Sequence, residues 1–248
     1  PRILNRVNAG DLFSDSESEG LSDSDTPSLG HSPPDDSKTE RRAYYGYLTH
    51  RFEGTPEVTD SAGRVTIWTD GSFIRRGTKR VAGAGIFYGD SHPGNVALGV
   101  PGRPSNQRAE LYALLRCLKL ESRPVRVVTD SMYVHMGVLQ WRHTWRANAW
   151  ISSVPDARLR DHADLWRQVD AIIQSRPEGH VVTQWCKGHA LPRHLSRGPD
   201  DPGLTTELNI WGNTAADGLA GLATAKVLGP KGSIPWGRDS GPLRVVED

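Results

Sequence analysis

Cysteine and methionine are scarce in this chain, with two of each among 248 residues. Cys117 and Cys186 both lie inside apolar runs, which excludes a disulfide framework and any four-cysteine zinc site. A reducing, intracellular setting is therefore expected, in nucleus or cytoplasm. No stretch approaches the roughly 18 apolar residues of a membrane span, and the N-terminal residues lack the apolar core of a secretory signal. The expectation is a soluble chain with no membrane partner. It begins at Pro1 and its only methionines are Met132 and Met136, so it reads as a fragment or a processed piece of something longer. A charge excess is missing too, because 30 Lys+Arg against 29 Asp+Glu leave +1. Hydrophobic residues reach only 36%, below the roughly 45–50% usual for globular chains, so part of the chain is not packed core.

The near-zero charge hides a split. Residues 11–40 hold nine acids (Asp11, Asp15, Glu17, Glu19, Asp23, Asp25, Asp35, Asp36, Glu40) and one base, Lys38, a net of −8. The remainder must then carry +9 to reach the total of +1. Through residue 42 this segment is rich in Ser, Asp, Glu and Pro without apolar periodicity, and cannot bury enough surface to offset ordering entropy. It is expected to be a disordered acidic tail, solvated or carrying phosphoacceptor serines, with residues 43–62 an unassigned transition.

From residue 64 the pattern changes. Val65, Ile67 and Thr69 alternate with Thr66 and Trp68, and VAGAGIFY follows a basic, Gly-containing turn, so two adjacent strands are expected. A short third strand fits residues 96–100. Ser105 is a candidate N-cap for a helix whose stripe is Leu111, Leu114, Leu115 and Leu118. VRVVTD at 125–130 reads as a strand buried on both faces. A helical stretch follows from Ser131, then an amphipathic helix near 162–175, a strand at 181–186, a long polar loop, and a last helix from about Asn213. The order is mixed α/β, with helices on both faces of a five-stranded mixed sheet.

Four carboxylates stand where elements start or stop: Asp70, Glu110, Asp130 and Asp217. Singly, each is what a turn, a helix first turn or a cap would use. Jointly they matter, because ligands bind at the carboxyl ends of strands in α/β sheets, and Asp70 and Asp130 would be side by side if their strands pair in parallel. Clustered carboxylates remain ionised only with cations present, and all-oxygen ligation selects hard ions such as Mg²⁺ or Mn²⁺. Two such ions roughly 3.5–4 Å apart can activate water and stabilise the leaving oxygen of a phosphodiester.

TDGS at 69, NQRAEL at 106, TDS at 129, KGHA at 187 and GNTAADGLA at 212 resemble, in order and spacing, the ribonuclease H type 1 family. PGRPSNQRAEL and TDSMYVHMGVLQWRHTWRANAW look like the cellular eukaryotic form and its retroelement relatives. The resemblance implies a ribonuclease H fold, with residues 63–227 as the catalytic domain and 228–248 as a flexible tail. It implies hydrolysis of the RNA strand of RNA·DNA hybrids, leaving 5′-phosphate and 3′-hydroxyl ends, with two Mg²⁺ ions that Mn²⁺ can replace. Asp70, Glu110, Asp130 and Asp217 match the metal-binding carboxylates, and His189 the mobile histidine that assists water activation or product release. Arg103 and Ser105 match a DNA-phosphate pocket, and Asn106 and Gln107 the side chains that reach the minor groove. Tyr133, Trp141 and Trp145 match the channel for the DNA strand. A monomer acting on hybrid is expected. The alternative is a non-catalytic nucleic-acid-binding or connector domain within a reverse-transcriptase polyprotein.

The chain departs from the pattern in four places. Twenty-three residues (190–212) separate His189 from Asn213 where the family has a handful. Thr214 stands at a position often held by Glu. The Asn completing the phosphate pocket is not evident near Asp161 or His162. The family's separate N-terminal hybrid-binding module gives way to the acidic tail.

Overall fold

A computed structural model describes residues 36–152, 161–196 and 205–228. Its first element is helix α1 (Asp36–Arg51), followed by strands β1 (Val58–Thr59), β2 (Val65–Arg76), β3 (Lys79–Phe87) and β4 (Val96–Gly99). Helix α2 (Asn106–Leu120) leads to β5 (Val125–Thr129). The next helical run joins α3 (Met132–Met136) through a π turn (Gly137–Trp141) to α4 (Arg142–Ala147). Helix α5 (Ala163–Gln174), β6 (Val181–Trp185), a 3-10 turn (Pro192–His194) and α6 (Glu207–Leu228) complete the unit.

The main sheet runs β4-β3-β2-β5-β6, with β1 on β2 as a sixth, two-residue strand. β2 pairs antiparallel with β3 and parallel with β5, and β5 pairs parallel with β6. The expected mixed sheet with five principal strands is therefore present. Strand alternation sends Ile67 to one face and Trp68 to the other. Ile67 joins Leu111, Leu114, Val127 and Trp166 in a core beneath α2 and α5. Trp68 joins Phe87, Ile210, Trp211 and Ala216 in a second core beneath α6.

Two expectations need correction. Disorder is expected through residue 42 and residues 43–62 are left unassigned, yet Asp36–Arg51 is a helix. Its Tyr45 and Leu48 are buried in the α6-side core, with Tyr44 and Phe52 packed against them. The net acidity of the segment masked an apolar stripe of Tyr44, Leu48 and Phe52, spacing that puts side chains on one helical face. His50 and Arg51 in the last turn complement the helix dipole. Residues 1–35 of the expected tail, and 229–248 of the C-terminal one, lie outside the described residues.

The second correction concerns α6, which starts at Glu207 rather than near Asn213. Thr206 Oγ1 accepts from the Asn209 backbone N–H at 3.1 Å, the contact of an N-cap. The 190–212 insertion is consequently helical over its last six residues. Its neck is closed as well: Ser196 N–H donates to the Thr205 carbonyl at 2.9 Å, and Thr205 N–H to Ser196 Oγ at 2.6 Å.

Candidate active site

The parallel register places Trp68 beside Val128, so Asp70 and Asp130, two residues further along, emerge as neighbours at the carboxyl ends of β2 and β5. Glu110 enters from the second turn of α2. This is possible because α2 lies directly on β2: a Cβ at Gly71 would overlap the backbone nitrogen of Glu110. On the opposite face a Cβ at Gly85 would overlap the Ala216 carbonyl oxygen, so α6 also rests on bare backbone and brings Asp217 toward the same end of the sheet.

Ligand oxygens of Asp70, Glu110 and Asp130 all lie within 4.8 Å of one another. Asp217 stands outside this trio, but its negative charge acts on all three. Asp70 and Glu110 are each 5% exposed. Burial pushes the Asp70 carboxyl well above the usual carboxylate range, and the charges of Glu110, Asp130 and Asp217 push it further. Glu110 is raised by burial and then by Asp130. Asp130 is raised by burial, against the opposing effects of the Asn213 amide and His189. Asn213 Nδ2 donates to Asp130 Oδ2 at 3.2 Å, and the Trp185 indole donates to the Asp130 carbonyl at 2.9 Å.

The donor set fits hard divalent cations. Glu110 Oε2 is buried with no hydrogen-bond donor among the described residues. Leaving a carboxylate oxygen so buried and unpartnered is costly unless a cation or solvent meets it. All three clustered ligands are oxygens, which suits Mg²⁺ or Mn²⁺ rather than a soft metal. Both thiols are buried and their pKa values are pushed up by that burial, so neither supplies a nucleophile.

His189 is exposed, follows β6 by four residues, and has a left-handed φ of 48°. Its imidazole lies near enough to Asp130 to act on it electrostatically. The insertion leaves this turn anchored at its base, since Lys187 N–H donates to the buried Thr205 Oγ1 at 3.1 Å.

The other predicted residues form a separate group. Ser105 caps α2, accepting from Arg108 N–H at 3.2 Å, while Arg103 and Asn106 are exposed and Gln107 half-buried beside it. His162 Nε2 lies 3.4 Å from Ser105 Oγ. No local signal in the sequence marks this pairing across 57 residues. Arg108, also missed, braces the loop through Pro101 O at 2.6 Å and a two-pronged pair with Asp164 at 2.6 and 3.0 Å.

The aromatic expectation divides. Tyr133 and Trp141 are half-buried, with Tyr133 Oη accepting from the Trp166 indole at 2.6 Å. Trp145 is instead a core side chain, 5% exposed and edge-on to Trp166 at 5.2 Å between ring centroids. Its flanking arginines suggested an open face, but Arg142 and Arg146 turn to the buried Asp170.

A mixed sheet in the order β4-β3-β2-β5-β6, with carboxylates gathered where its two central parallel strands end, defines the ribonuclease H class of α/β fold. The RNase H family model matches residues 62–224. Ribonuclease HI of Caulobacter vibrioides is 37% identical over 129 residues, 51% of this chain and 82% of that protein. Ribonuclease H of a Caulobacter species is 33% identical over 174 residues, covering 68% and 96%. Among solved structures, the PFV RNase H domain aligns with a TM-score of 0.47 at 23% identity, covering 64% of this chain and 93% of that one. The chain belongs to the ribonuclease H family and is a ribonuclease H enzyme.

Proposed function

We propose that this chain hydrolyses the RNA strand of RNA·DNA hybrids at the Asp70–Glu110–Asp130 cluster, with Asp217 and His189 completing the site. The observation that carries the reading is the convergence of three carboxylates within 4.8 Å, one of them with a buried, donorless oxygen. Asp70, Glu110, Asp130 and Asp217 would hold two divalent ions, Mg²⁺ by the hardness of the oxygen donors. When bound, such ions lower the pKa of water and stabilise the leaving oxygen. The protein's own contribution is positional. β2, β5 and α2 hold three carboxylates rigidly, and the Asn213 amide fixes one oxygen of Asp130.

His189 is exposed just after β6, and its imidazole can take a proton from water or hand one to the departing oxygen. Arg103, Ser105, Asn106 and His162 sit together at the start of α2, supporting a strand-binding pocket there. Tyr133 and Trp141 offer ring faces for the DNA strand. The matched domain carries all four expected carboxylates, which favours catalysis over a connector role.

The test is a hybrid labelled on its RNA strand, incubated with Mg²⁺, with chelator, and beside the Asp70→Asn variant. Cleavage confined to wild type with Mg²⁺, leaving 3′-hydroxyl ends, is expected. Cleavage that survives chelation or the substitution sinks the reading.

A further inference from the structure

His189 is followed at once by the 190–212 insertion, and the turn is held on both sides of it. On one side Gly188 rests on the carboxylate cluster. A Cβ there would overlap Asp130 Oδ2, the same oxygen that accepts from the Asn213 amide at 3.2 Å. On the other side Ala190 and Leu191 are each 1% exposed and join Tyr45, Leu48 and Ile210 in the α6-side core. Between Gly188 and Ala190, His189 keeps an exposed side chain and a left-handed φ of 48°. A residue other than glycine stays in that region only where its surroundings hold it there.

The hold comes from Thr205, near the far end of the insertion. Its side chain is buried, and Oγ1 accepts from the Lys187 backbone N–H at 3.1 Å, across 18 residues of chain. Thr205 is itself fixed through its backbone, because its carbonyl accepts from Ser196 N–H at 2.9 Å and its N–H donates to Ser196 Oγ at 2.6 Å. The next residue, Thr206, caps α6 through a 3.1 Å contact with Asn209 N–H. One residue thus joins the neck of the insertion, the start of the helix that carries Asn213 and Asp217, and the strand exit that carries His189. Valine has nearly the shape of threonine and would fill the same space. What threonine adds is the acceptor for Lys187.

We propose that Thr205 is a positioning residue for His189: its hydroxyl ties residues 187–189 to the start of α6, so that the insertion holds the histidine turn beside Asp130 rather than freeing it. Thr205 touches no reacting atom and acts only through the histidine. Its effect falls on rate, because the orientation of an acid–base group sets how often it is within reach of the water or the departing oxygen. The proposal rests on the reading that His189 takes part in hydrolysis.

Exchange of the Lys187 amide by NMR in chelator, and steady-state cleavage of hybrid in Mg²⁺, are measured for wild type, Thr205→Val, Thr205→Ala and Thr205→Ser. Cleavage is also measured for His189→Ala with and without Thr205→Val. The valine and alanine variants share only the loss of the hydroxyl. Both are expected to speed Lys187 exchange by about tenfold and to lower kcat by about tenfold with KM little changed, and Thr205→Ser should restore both. The loss is smaller than the roughly 100-fold of removing the imidazole, and in the His189→Ala background Thr205→Val should change kcat by less than about twofold. Wild-type kcat in both hydroxyl-free variants overturns the proposal, as does unaltered Lys187 exchange. So does a kcat loss that Thr205→Ser fails to restore, or one that persists undiminished without the imidazole, either of which marks a structural role. A His189→Ala enzyme with wild-type kcat defeats the catalytic reading of the histidine instead, while Lys187 exchange still decides whether Thr205 holds the turn.

Discussion

Replacing Asp70 with Asn should abolish cleavage and, in the absence of metal, make the protein more stable. Asp70 is 5% exposed and shares a 4.8 Å cluster with Glu110 and Asp130. At an effective dielectric of about 20, two full charges at that separation repel by about 3 kcal/mol. The cluster relieves part of this by holding protons, so the realised gain from neutralising one member is about 1–3 kcal/mol. Asn keeps the acceptor that Asp70 Oδ1 offers to Gly71 N–H at 2.8 Å, so the local backbone is undisturbed. For a domain of this size each kcal/mol moves Tm by about 2–4 °C, giving an expected rise of about 2–12 °C.

The pH dependence has a definite sign. Burial and its neighbours raise the folded-state pKa of Asp70, so the folded protein holds a proton that the unfolded chain releases. The penalty is absent below the unfolded carboxylate pKa, grows as pH rises above it, and is complete above the folded value. The advantage of Asp70→Asn should therefore be greatest near pH 8 and shrink on acidification. Differential scanning fluorimetry in chelator from pH 5 to 8 reads this directly. Millimolar Mg²⁺ should narrow the gap by stabilising wild type through binding. An Asp70→Asn Tm equal to or below wild type at pH 8 in chelator, or an advantage that grows on acidification, would refute the reasoning.

Three further outcomes are expected. His189→Ala should lower kcat by roughly 100-fold, the scale of lost acid–base assistance, with KM little changed; an undiminished kcat removes His189 from the chemistry. Gly85→Ala should cost about 1–3 kcal/mol and at least tenfold in activity, because its Cβ displaces α6 at Ala216 and shifts Asp217 with it; a variant with wild-type Tm and kcat would show that this close approach is not needed. Mg²⁺ affinity should fall as pH drops from 8 to 6, with proton release on binding, because the Asp70, Glu110 and Asp130 carboxyls are all raised. Calorimetry in two buffers of different ionisation enthalpy measures that release, and identical heats in both would contradict it.

Much of the fold was legible because its period was local. β5 reads as a buried β-branched run and forms at Val125–Thr129; α2 reads from a Ser105 cap and a leucine stripe and forms at Asn106–Leu120. α1 was hidden by averaging its charge with that of the preceding acidic residues, although the apolar spacing of Tyr44, Leu48 and Phe52 was present. The true start of α6 was legible at Thr206-Glu207, a capping residue followed by an acid in the first turn, but the glycine and proline just before it drew attention to a loop.

The sequence by itself determined which groups the chain brings to its chemistry: four carboxylates at element ends, a histidine after a strand, and cysteines in apolar surroundings. These follow from residue type and local pattern. Only the tertiary structure decided which of them meet. Parallel pairing of β2 with β5 set Asp70 beside Asp130, close seating of α2 at Gly71 admitted Glu110, and Asp217 was left at the edge of the trio. It also sent Trp145 into the core and joined His162 to Ser105. Such meetings depend on contacts between residues far apart in the chain, whose partners are chosen by burial and packing after the local elements have formed.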